Sequence, residues 1–285
     1  MNNLTSRVLV ALLGIPALIY IILQGGALFC GLIVIITSIG LWEFYLMAEK
    51  KGISANKYVG IFFGAMIPIL FFIPSMDKFG LFTSMLNVVF TLLLFVVSTI
   101  LAEMFRGKPN AFLNITVTIG GVMYVAGFLL CLLGIRTLPS ILGVQNLHGG
   151  YFILCMFIAI WLCDTTAYFV GKSIGRHKLF ERVSPNKTWE GAIAGAVAAV
   201  GGFIGVSAWL LPELPMVHSA TLGIIVGTIG QAGDLAESLL KRDAGVKDSS
   251  NILAGHGGVL DRFDSILMTS PIVYIYIFSI DLLGK

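Results

Sequence analysis

Long apolar runs separated by short polar segments dominate the chain. A helix that crosses a bilayer needs about 20 mostly apolar residues. Runs of suitable length occupy residues 8–24, 27–47, 58–73, 79–101, 112–134, 150–171, 188–211, 217–236 and 266–283. The pattern predicts an all-α polytopic integral membrane protein with about nine transmembrane helices.

Composition supports this class and excludes others. Hydrophobic residues make up 57% of the chain and charged residues 12%, with a mean hydropathy of +0.95, whereas soluble domains carry roughly 25% charged residues. A net charge of +3 is too small to indicate nucleic-acid binding. All four cysteines fall inside apolar runs without a CxxC spacing, so the sequence indicates neither a zinc site nor a disulfide framework.

Positive charge predicts an orientation. With the N-terminus inside, 15 of the 18 Lys and Arg residues fall on one side of the predicted spans, and only Lys78, Arg136 and Lys285 fall on the other. Because Lys and Arg concentrate in cytoplasmic loops, we expect a cytoplasmic N-terminus and an external C-terminus. The polar loops 172–187 and 237–265 then both face the cytoplasm, where a nucleotide substrate would be found.

The polar loops divide the chain into two regions. Residues 1–140 hold about five predicted spans, and residues 141–285 hold about four spans together with both long polar loops. We therefore expect chemistry in the second region. Within it, small residues repeat every four positions after Thr188, a pattern that favours close helix packing; the two rows are Gly191, Gly195, Ala199 and Ala194, Ala198, Gly202.

Asp164 and Glu43 are acids inside predicted spans, where a charge costs about 2.5–3.5 kcal/mol at the helix centre. Asp164 lies in the sixth span, and either a structural hydrogen bond or a functional contact would account for it. Glu43 lies near the cytoplasmic end of the second span among aromatic residues. Aromatic residues favour the membrane interface, so we interpret Glu43 as structural or interfacial.

The segment 233–264 mixes acids with bases at the edge of the bilayer. Helical spacing would place Asp234, Glu237, Ser238 and Lys241 on one face. Asp261 and Asp264 would form a second pair if the ninth helix begins early. Carboxylates on neighbouring helix ends suit Mg²⁺, which takes oxygen ligands and retains positions for water and phosphate. Surface ion pairs are the alternative, although they do not explain the position of Asp234 at the bilayer boundary.

Two turns have the composition of anion sites. The run Gly255-His256-Gly257-Gly258 could present backbone N–H groups to an anion, and an ordinary loop would have the same composition. Ser184-Pro185 precedes the seventh span, where Lys187 and a helix N-terminus would favour phosphate. Helix capping is the alternative there.

The polar segment also carries a spaced set of residues, written Ser238-x-Leu240-Lys241-Arg242, Lys247-Asp248-x-Ser250, Leu253 and His256-Gly257-Gly258-Val259-x-Asp261-Arg262-Phe263-Asp264. This set closely resembles the signature of phosphatidate cytidylyltransferases, also called CDP-diacylglycerol synthases. Residues 164–176 and 184–191 resemble the same family, whereas the first five spans resemble it only in hydropathy. Ala254 stands where the family usually has Pro or Gly.

The resemblance implies a membrane-bound nucleotidyltransferase of phospholipid synthesis. Its substrates would be CTP and phosphatidate, and its products CDP-diacylglycerol and pyrophosphate. It also implies a bacterial inner-membrane location, an active site facing the cytoplasm and, as an option, a homodimer.

Roles for individual residues follow as hypotheses. Asp234 and Asp261 would hold Mg²⁺, with a second cation left open, and Lys241 and Arg242 would act with them in catalysis. Lys241, Arg242, Lys247 and Arg262 would bind the phosphates of CTP or the pyrophosphate. The remaining substrate-binding candidates are Lys172, Lys187, Ser238, Asp164, Asp248, His256, Gly257 and Gly258.

Two other classes of function stay open on sequence alone. A related enzyme could act on an archaeal ether lipid phosphate or on a polyprenol with similar residues. A transporter or non-catalytic scaffold would instead place charges through several spans or contain inverted repeats. The clustering of acids at one level disfavours this second class.

Overall fold

The computed structural model describes residues 3–74, 80–138, 140–141, 144–145, 148–252 and 257–283. Helices dominate this part of the chain, and their bounds are α1 Asn3–Gln24, α2 Gly26–Lys50, α3 Lys57–Phe72, α4 Gly80–Arg106, α5 Ala111–Gly121, α6 Phe128–Thr137, α7 Gly149–Ile174, α8 Trp189–Leu210, α9 Met216–Asp243 and α10 Leu260–Leu283. Two small antiparallel hairpins complete it: β1 Ser140–Ile141 with β2 Val144–Gln145, and β3 Lys178–Phe180 with β4 Ser184–Thr188.

Six helical stretches among the described residues are long and apolar enough to cross a membrane: Gly26–Lys50, Phe82–Arg106, Ala111–Thr137, Gly149–Ile174, Trp189–Leu210 and Leu260–Ile280. Leu12–Gln24 and Lys57–Phe72 are shorter apolar helices. The chain is therefore an all-α membrane protein, as the apolar runs predict.

Several helices extend beyond the apolar runs that predict them. α9 continues to Asp243, and α10 begins at Leu260. The predicted loop 237–265 is correspondingly shorter, and the predicted loop 172–187 contains the end of α7 and the β3–β4 hairpin. Hydropathy marks where a helix is apolar rather than where it ends, since Glu, Lys and Arg are good helix formers. Gly245, two residues beyond the end of α9, has the left-handed backbone conformation (φ 69°) common at helix C-termini.

The helix from Ala111 to Thr137 contains a π segment at Val122–Gly127. Asn114 and Thr118 are buried before this segment, and Leu129 and Leu132 are buried after it. The wider turn joins α5 to α6 without breaking the helix.

The chain forms two compact units. Unit 1 comprises residues Met1–Leu133 and Leu240–Arg262, and its core is built around Tyr45. The Tyr45 hydroxyl donates a 2.7 Å hydrogen bond to the carbonyl of Thr118. A Cβ atom at Gly60 or Gly121 would lie 2.2 Å and 2.8 Å from the Tyr45 side chain, so glycine is required at both positions for the ring to fit.

Unit 2 comprises residues Gly134–Leu239 and Phe263–Lys285, and close helix packing dominates it. Added Cβ atoms at Gly191 and Gly195 of α8 would lie 2.6 Å and 2.8 Å from carbonyl oxygens of α7. Gly223 and Gly227 of α9 approach the backbone of α8 in the same way. The small-residue pattern therefore packs helices together, as it predicts. The predicted division of the chain at residue 140 stays a prediction.

Candidate active site

Asp261 of unit 1 lies in the first turn of α10 and is held by four donors. Its Oδ2 atom accepts hydrogen bonds from the Gly258 N–H at 2.8 Å, the Ser249 N–H at 3.0 Å and the Ser249 hydroxyl at 2.9 Å. Its Oδ1 atom is ion-paired with the ammonium group of Lys241 near the end of α9. The Lys241 side chain is 10% exposed and that of Asp261 is 7% exposed. The arrangement fixes the direction of a carboxylate that is almost removed from solvent.

Gly257 and Gly258 shape the backbone before α10. Gly257 has a left-handed φ of 81°, which a residue with a side chain adopts at a cost. A Cβ atom at Gly258 would lie 1.9 Å from the Ser249 hydroxyl and 2.6 Å from the carboxylate of Glu43. The Gly258 N–H donates to Asp261, so this loop surrounds the acid. His256, predicted to bind substrate, lies outside the described residues.

Glu43, interpreted above as structural or interfacial, contacts the residues around Asp261 in the structure. Glu43 is 0% exposed and accepts hydrogen bonds from the side chains of Ser249 and Ser250 and from the N–H groups of Val259 and Leu260. These partners belong to the loop that holds Asp261. The only signal in the sequence was an acid inside an apolar run, which indicates a buried contact without naming its partner.

The other charged residues of the signature lie at the surface of unit 1. Arg242, Lys247, Asp248 and Arg262 are exposed, whereas Lys241 is buried. Arg242 donates to the carbonyl of Val246 at 3.3 Å, beside the turn that ends α9. These four exposed side chains are therefore accessible to a ligand in solution.

Unit 2 holds a second cluster of predicted site residues. Lys187 at the end of the β3–β4 hairpin forms a 2.7 Å ion pair with Asp234 of α9. The Ser238 hydroxyl donates to the other oxygen of Asp234 at 3.3 Å. The charge of Asp164 on α7 is attracted by Lys187 and repelled by Asp234. Three segments distant in sequence thus converge on one partly exposed group of charges.

Local contacts explain how the hairpin presents Lys187. Thr188 caps α8, accepting a 3.2 Å hydrogen bond from the Gly191 N–H. Glu190 accepts from the N–H and ring of His177 across the hairpin. The capping expected for this segment and the ion pair of Lys187 are therefore both present. Lys172 stands apart from the cluster contacts, with its ammonium group 5.8 Å from the centre of the Tyr168 ring.

Gly233 accounts for the close approach of α9 to α10 within unit 2. A Cβ atom there would lie 2.7 Å from the Asp264 carbonyl and 2.9 Å from the Met268 side chain. This glycine therefore sets the position of the helix turn that carries Asp234.

The two predicted metal acids belong to different clusters, Asp234 to unit 2 and Asp261 to unit 1. Across the described residues, no group of three or more His, Cys, Asp or Glu side chains could hold a metal ion. The donors nevertheless suit Mg²⁺, which commonly uses one or two carboxylates and completes its shell with water and substrate phosphates. Each carboxylate has about four lone-pair positions. Asp234 accepts from Lys187 and Ser238 and keeps positions for a cation. Asp261 is already surrounded by four donors, so a cation there would have to displace one of them.

Comparison with known proteins covers nearly the whole chain. Residues 5–280 match the model of a family described as the cytidylyltransferase family. The chain belongs to this family. It is 31% identical to the phosphatidate cytidylyltransferase of Bacillus subtilis, over 96% of this chain and 97% of the relative.

Other curated relatives agree in name and coverage. The phosphatidate cytidylyltransferase of Synechocystis is 33% identical over 96% of each chain, and that of Brucella abortus is 32% identical over 97% of this chain and 94% of the relative. The resemblance seen in the signature is confirmed, and it extends through the first five predicted spans. The chain is thus a membrane-bound nucleotidyltransferase of phospholipid biosynthesis.

Proposed function

We propose that the protein transfers the cytidylyl group of CTP to phosphatidate. A phosphate oxygen of the lipid attacks the α-phosphorus of CTP, a new P–O bond forms, and the bond between the α-phosphorus and the bridging oxygen breaks. The products are CDP-diacylglycerol and pyrophosphate. The names of the full-length relatives support these substrates.

The observation that carries the proposal is the enclosure of Asp261 by Lys241, Ser249 and Gly258. The attacking atom is the lipid's own phosphate oxygen, so the enzyme needs no Ser or Cys nucleophile. Its task is to align two anions and stabilise charge at the α-phosphorus, as in other phosphoryl-group transfers. Fixed charges that require no rearrangement during the reaction are the most effective for this purpose.

In unit 1, exposed cations are suited to the nucleotide. We assign Arg242, Lys247 and Arg262 to the phosphates of CTP and to the leaving pyrophosphate, together with Lys241, which is held by Asp261. Asp248 and the His256–Gly258 turn contribute polar contacts to the substrate.

In unit 2, Lys187 is the basic group that meets a substrate phosphate, with Lys172 as a second candidate. The phosphate belongs either to the lipid or to CTP. Ser238 and Asp164 support this cluster, Ser238 by its hydrogen bond to Asp234 and Asp164 by its electrostatic interaction with Lys187.

Mg²⁺ is the proposed cofactor, with Asp234 and Asp261 as its proposed protein ligands and a second cation as an option. Asp234 and Asp261 would hold the ion, which would supply neutralisation of phosphate charge. Each proposed ligand is paired with a proposed phosphate-binding lysine. In each pair, the acid would then bind the cation and the lysine would bind the phosphate. Each charged side chain would therefore keep a partner of opposite charge.

The proposed setting is a bacterial inner membrane, with about nine spans and a cytoplasmic N-terminus. The predicted spans and the bias of Lys and Arg toward one side support this orientation. It places the signature on the side where CTP is available. A homodimer is compatible with the proposal and is not required by it.

The decisive assay uses purified full-length protein in detergent with radiolabelled CTP. We expect a labelled lipid product and pyrophosphate only when CTP, phosphatidate and Mg²⁺ are all present. Matched reactions contain an archaeal ether lipid phosphate or a polyprenol instead of phosphatidate. If either lipid is turned over faster than phosphatidate, that lipid is the substrate instead of phosphatidate. Folded protein that turns over none of them would contradict the enzymatic assignment.

A further inference from the structure

Glu43 is a buried acid whose hydrogen bonds reach across unit 1 to one short stretch of chain. Its Oε1 atom accepts from the Ser250 hydroxyl and from the Val259 N–H at 2.9 Å. Its Oε2 atom accepts from the Ser249 hydroxyl at 3.1 Å and from the Leu260 N–H at 2.8 Å. Both carboxylate oxygens are therefore used by residues 249–250 and 259–260. We call the described residues 249–252 and 257–260 the signature loop.

Two of these donors lie at the start of α10: Leu260 is its first residue and Val259 directly precedes it. The first N–H groups of a helix have no partner within the helix, and the helix dipole favours negative charge at that end. Glu43 thus caps α10 from a distant helix, α2. Because Asp261 is the second residue of α10, this cap also determines where its carboxylate lies.

Ser249 connects Glu43 to Asp261 directly. The Ser249 hydroxyl is 3.1 Å from Oε2 of Glu43 and 2.9 Å from Oδ2 of Asp261. The Ser249 N–H holds the same Asp261 oxygen. The hydroxyl has one proton and lies within hydrogen-bond distance of both acids, so it donates to one of them at a time. Displacement of either carboxylate therefore changes the position of the serine that holds the other.

We propose that Glu43 is a positioning residue for the cytidylyl transfer, an inference that rests on the proposed function. It does not contact substrate. It holds the signature loop and the first turn of α10, so that Asp261 and the Gly258 N–H keep their geometry. A buried acid is a costly means of packing, and full use of its two oxygens by one loop explains why an acid is present.

The main test compares Glu43→Gln with Glu103→Gln in the purified full-length protein. Glu103 is the matched control, since it is a buried acid of the same unit that contacts Arg106 and Asn114. The Mg²⁺ concentration for half-maximal activity, the KM for CTP and kcat are measured for both. A loss of folded protein alone lowers the apparent kcat and leaves the other two quantities unchanged.

For Glu43→Gln we expect kcat/KM for CTP to fall about 10–100-fold, the range for residues that orient metal ligands. The Mg²⁺ requirement should rise with it, while Glu103→Gln should change neither quantity. Ser250→Ala, which removes one donor to Glu43, should shift both in the same direction by less. A Glu43→Gln enzyme with the Mg²⁺ requirement and the KM of Glu103→Gln would overturn the inference.

A measurement without substrate separates this inference from the proposed reaction. Hydrogen exchange of peptides covering residues 244–262 reports how firmly the signature loop is held. We expect faster exchange there in Glu43→Gln and Ser250→Ala and wild-type exchange in Glu103→Gln. Unchanged exchange in Glu43→Gln would refute the positioning role even if the wild type used another lipid. If the wild type transfers cytidylyl groups to no lipid, the proposed function is refuted, and the role of Glu43 in that reaction is refuted with it.

Discussion

Lys187 and Asp234 form a 2.7 Å ion pair between the hairpin before α8 and the middle of α9. Asp164 of α7 interacts electrostatically with both. The hairpin and α9 thus bring Lys187 and Asp234 into contact within unit 2, and the charge of Asp164 acts on both. Because Lys187 is partly exposed, it can exchange its acid partner for a phosphate.

Replacing Lys187 by Gln should raise the KM for one substrate about tenfold or more, because a hydrogen bond to a charged group is worth about 1.5–3 kcal/mol. The KM of the other substrate should change little. Steady-state kinetics with CTP and phosphatidate varied in turn identify which phosphate Lys187 binds. Lys51→Gln is the control, since Lys51 pairs with Asp243 at an exposed site and exposed pairs contribute little. Equal effects in the two variants would contradict the role of Lys187.

Replacing Asp261 by Asn should reduce kcat/KM by about 10²–10³, as removal of a key electrostatic group does. The amide keeps the shape of the side chain but loses the charge that pairs with Lys241. Asp243→Asn, at an exposed acid of α9, should retain activity. Radiolabelled lipid product measured for both variants checks the prediction. Activity of Asp261→Asn within a few-fold of the wild type would remove Asp261 from the metal assignment.

Replacing Gly258 by Ala should abolish most activity and destabilise the protein. The new methyl group would occupy the space of the Ser249 hydroxyl and the Glu43 carboxylate. Gly245→Ala is the comparison: it also strains the backbone, at a cost of about 1–2 kcal/mol, but meets open space. Thermal unfolding in detergent together with the activity assay distinguishes them. A Gly258→Ala enzyme with the activity of Gly245→Ala would show that the loop tolerates the displacement.

Within α8, Gly191→Ala and Gly201→Ala should have opposite effects. A methyl group at Gly191 would lie 2.6 Å from the carbonyl of Ala167, whereas one at Gly201 meets no atom within 4 Å. We expect a lower melting temperature for Gly191→Ala. Gly201→Ala should be neutral or stabilising, since Ala is favoured over Gly in helices by about 1 kcal/mol. Similar melting temperatures for both would argue against close packing of α7 on α8.

Chelation should stop the reaction reversibly. Addition of EDTA to active protein should remove lipid product formation, and excess Mg²⁺ should restore it. Ca²⁺ is the informative comparison, because it prefers more ligands and longer bonds than Mg²⁺. Undiminished activity after exhaustive chelation would contradict the metal-assisted proposal.

The sequence was sufficient for those features that depend on local composition. Apolar runs predicted the helices. The signature selected Lys241, Asp261 and Gly258, which the structure brings into contact, and their roles stay predictions. Helix ends such as Asp243 were missed because polar residues continue a helix as well as apolar ones do. Comparison with relatives then extended the family resemblance to the first half of the chain.

Contacts between segments that are distant in the sequence could not be predicted from local composition. The hydrogen bond of Glu43 to Ser249 joins residues 206 positions apart. Hydropathy indicates that an acid such as Glu43 is unusual inside an apolar run. Its contact with Ser249 depends on the folded structure. Lys187 and Asp234 were both selected from their local setting, yet their ion pair required the fold of unit 2.

The π segment at Val122–Gly127 has a consequence for rotation along its helix. A π turn inserts one extra residue into an α-helix, and one residue corresponds to about 100° of turn. The buried side chains of Leu129 and Leu132 therefore point in a different direction, relative to Asn114 and Thr118, from the one an uninterrupted α-helix would give them. A single inserted residue therefore lets one continuous helix bury different sides before and after the π segment. Deleting it would rotate Leu129 and Leu132 away from the core.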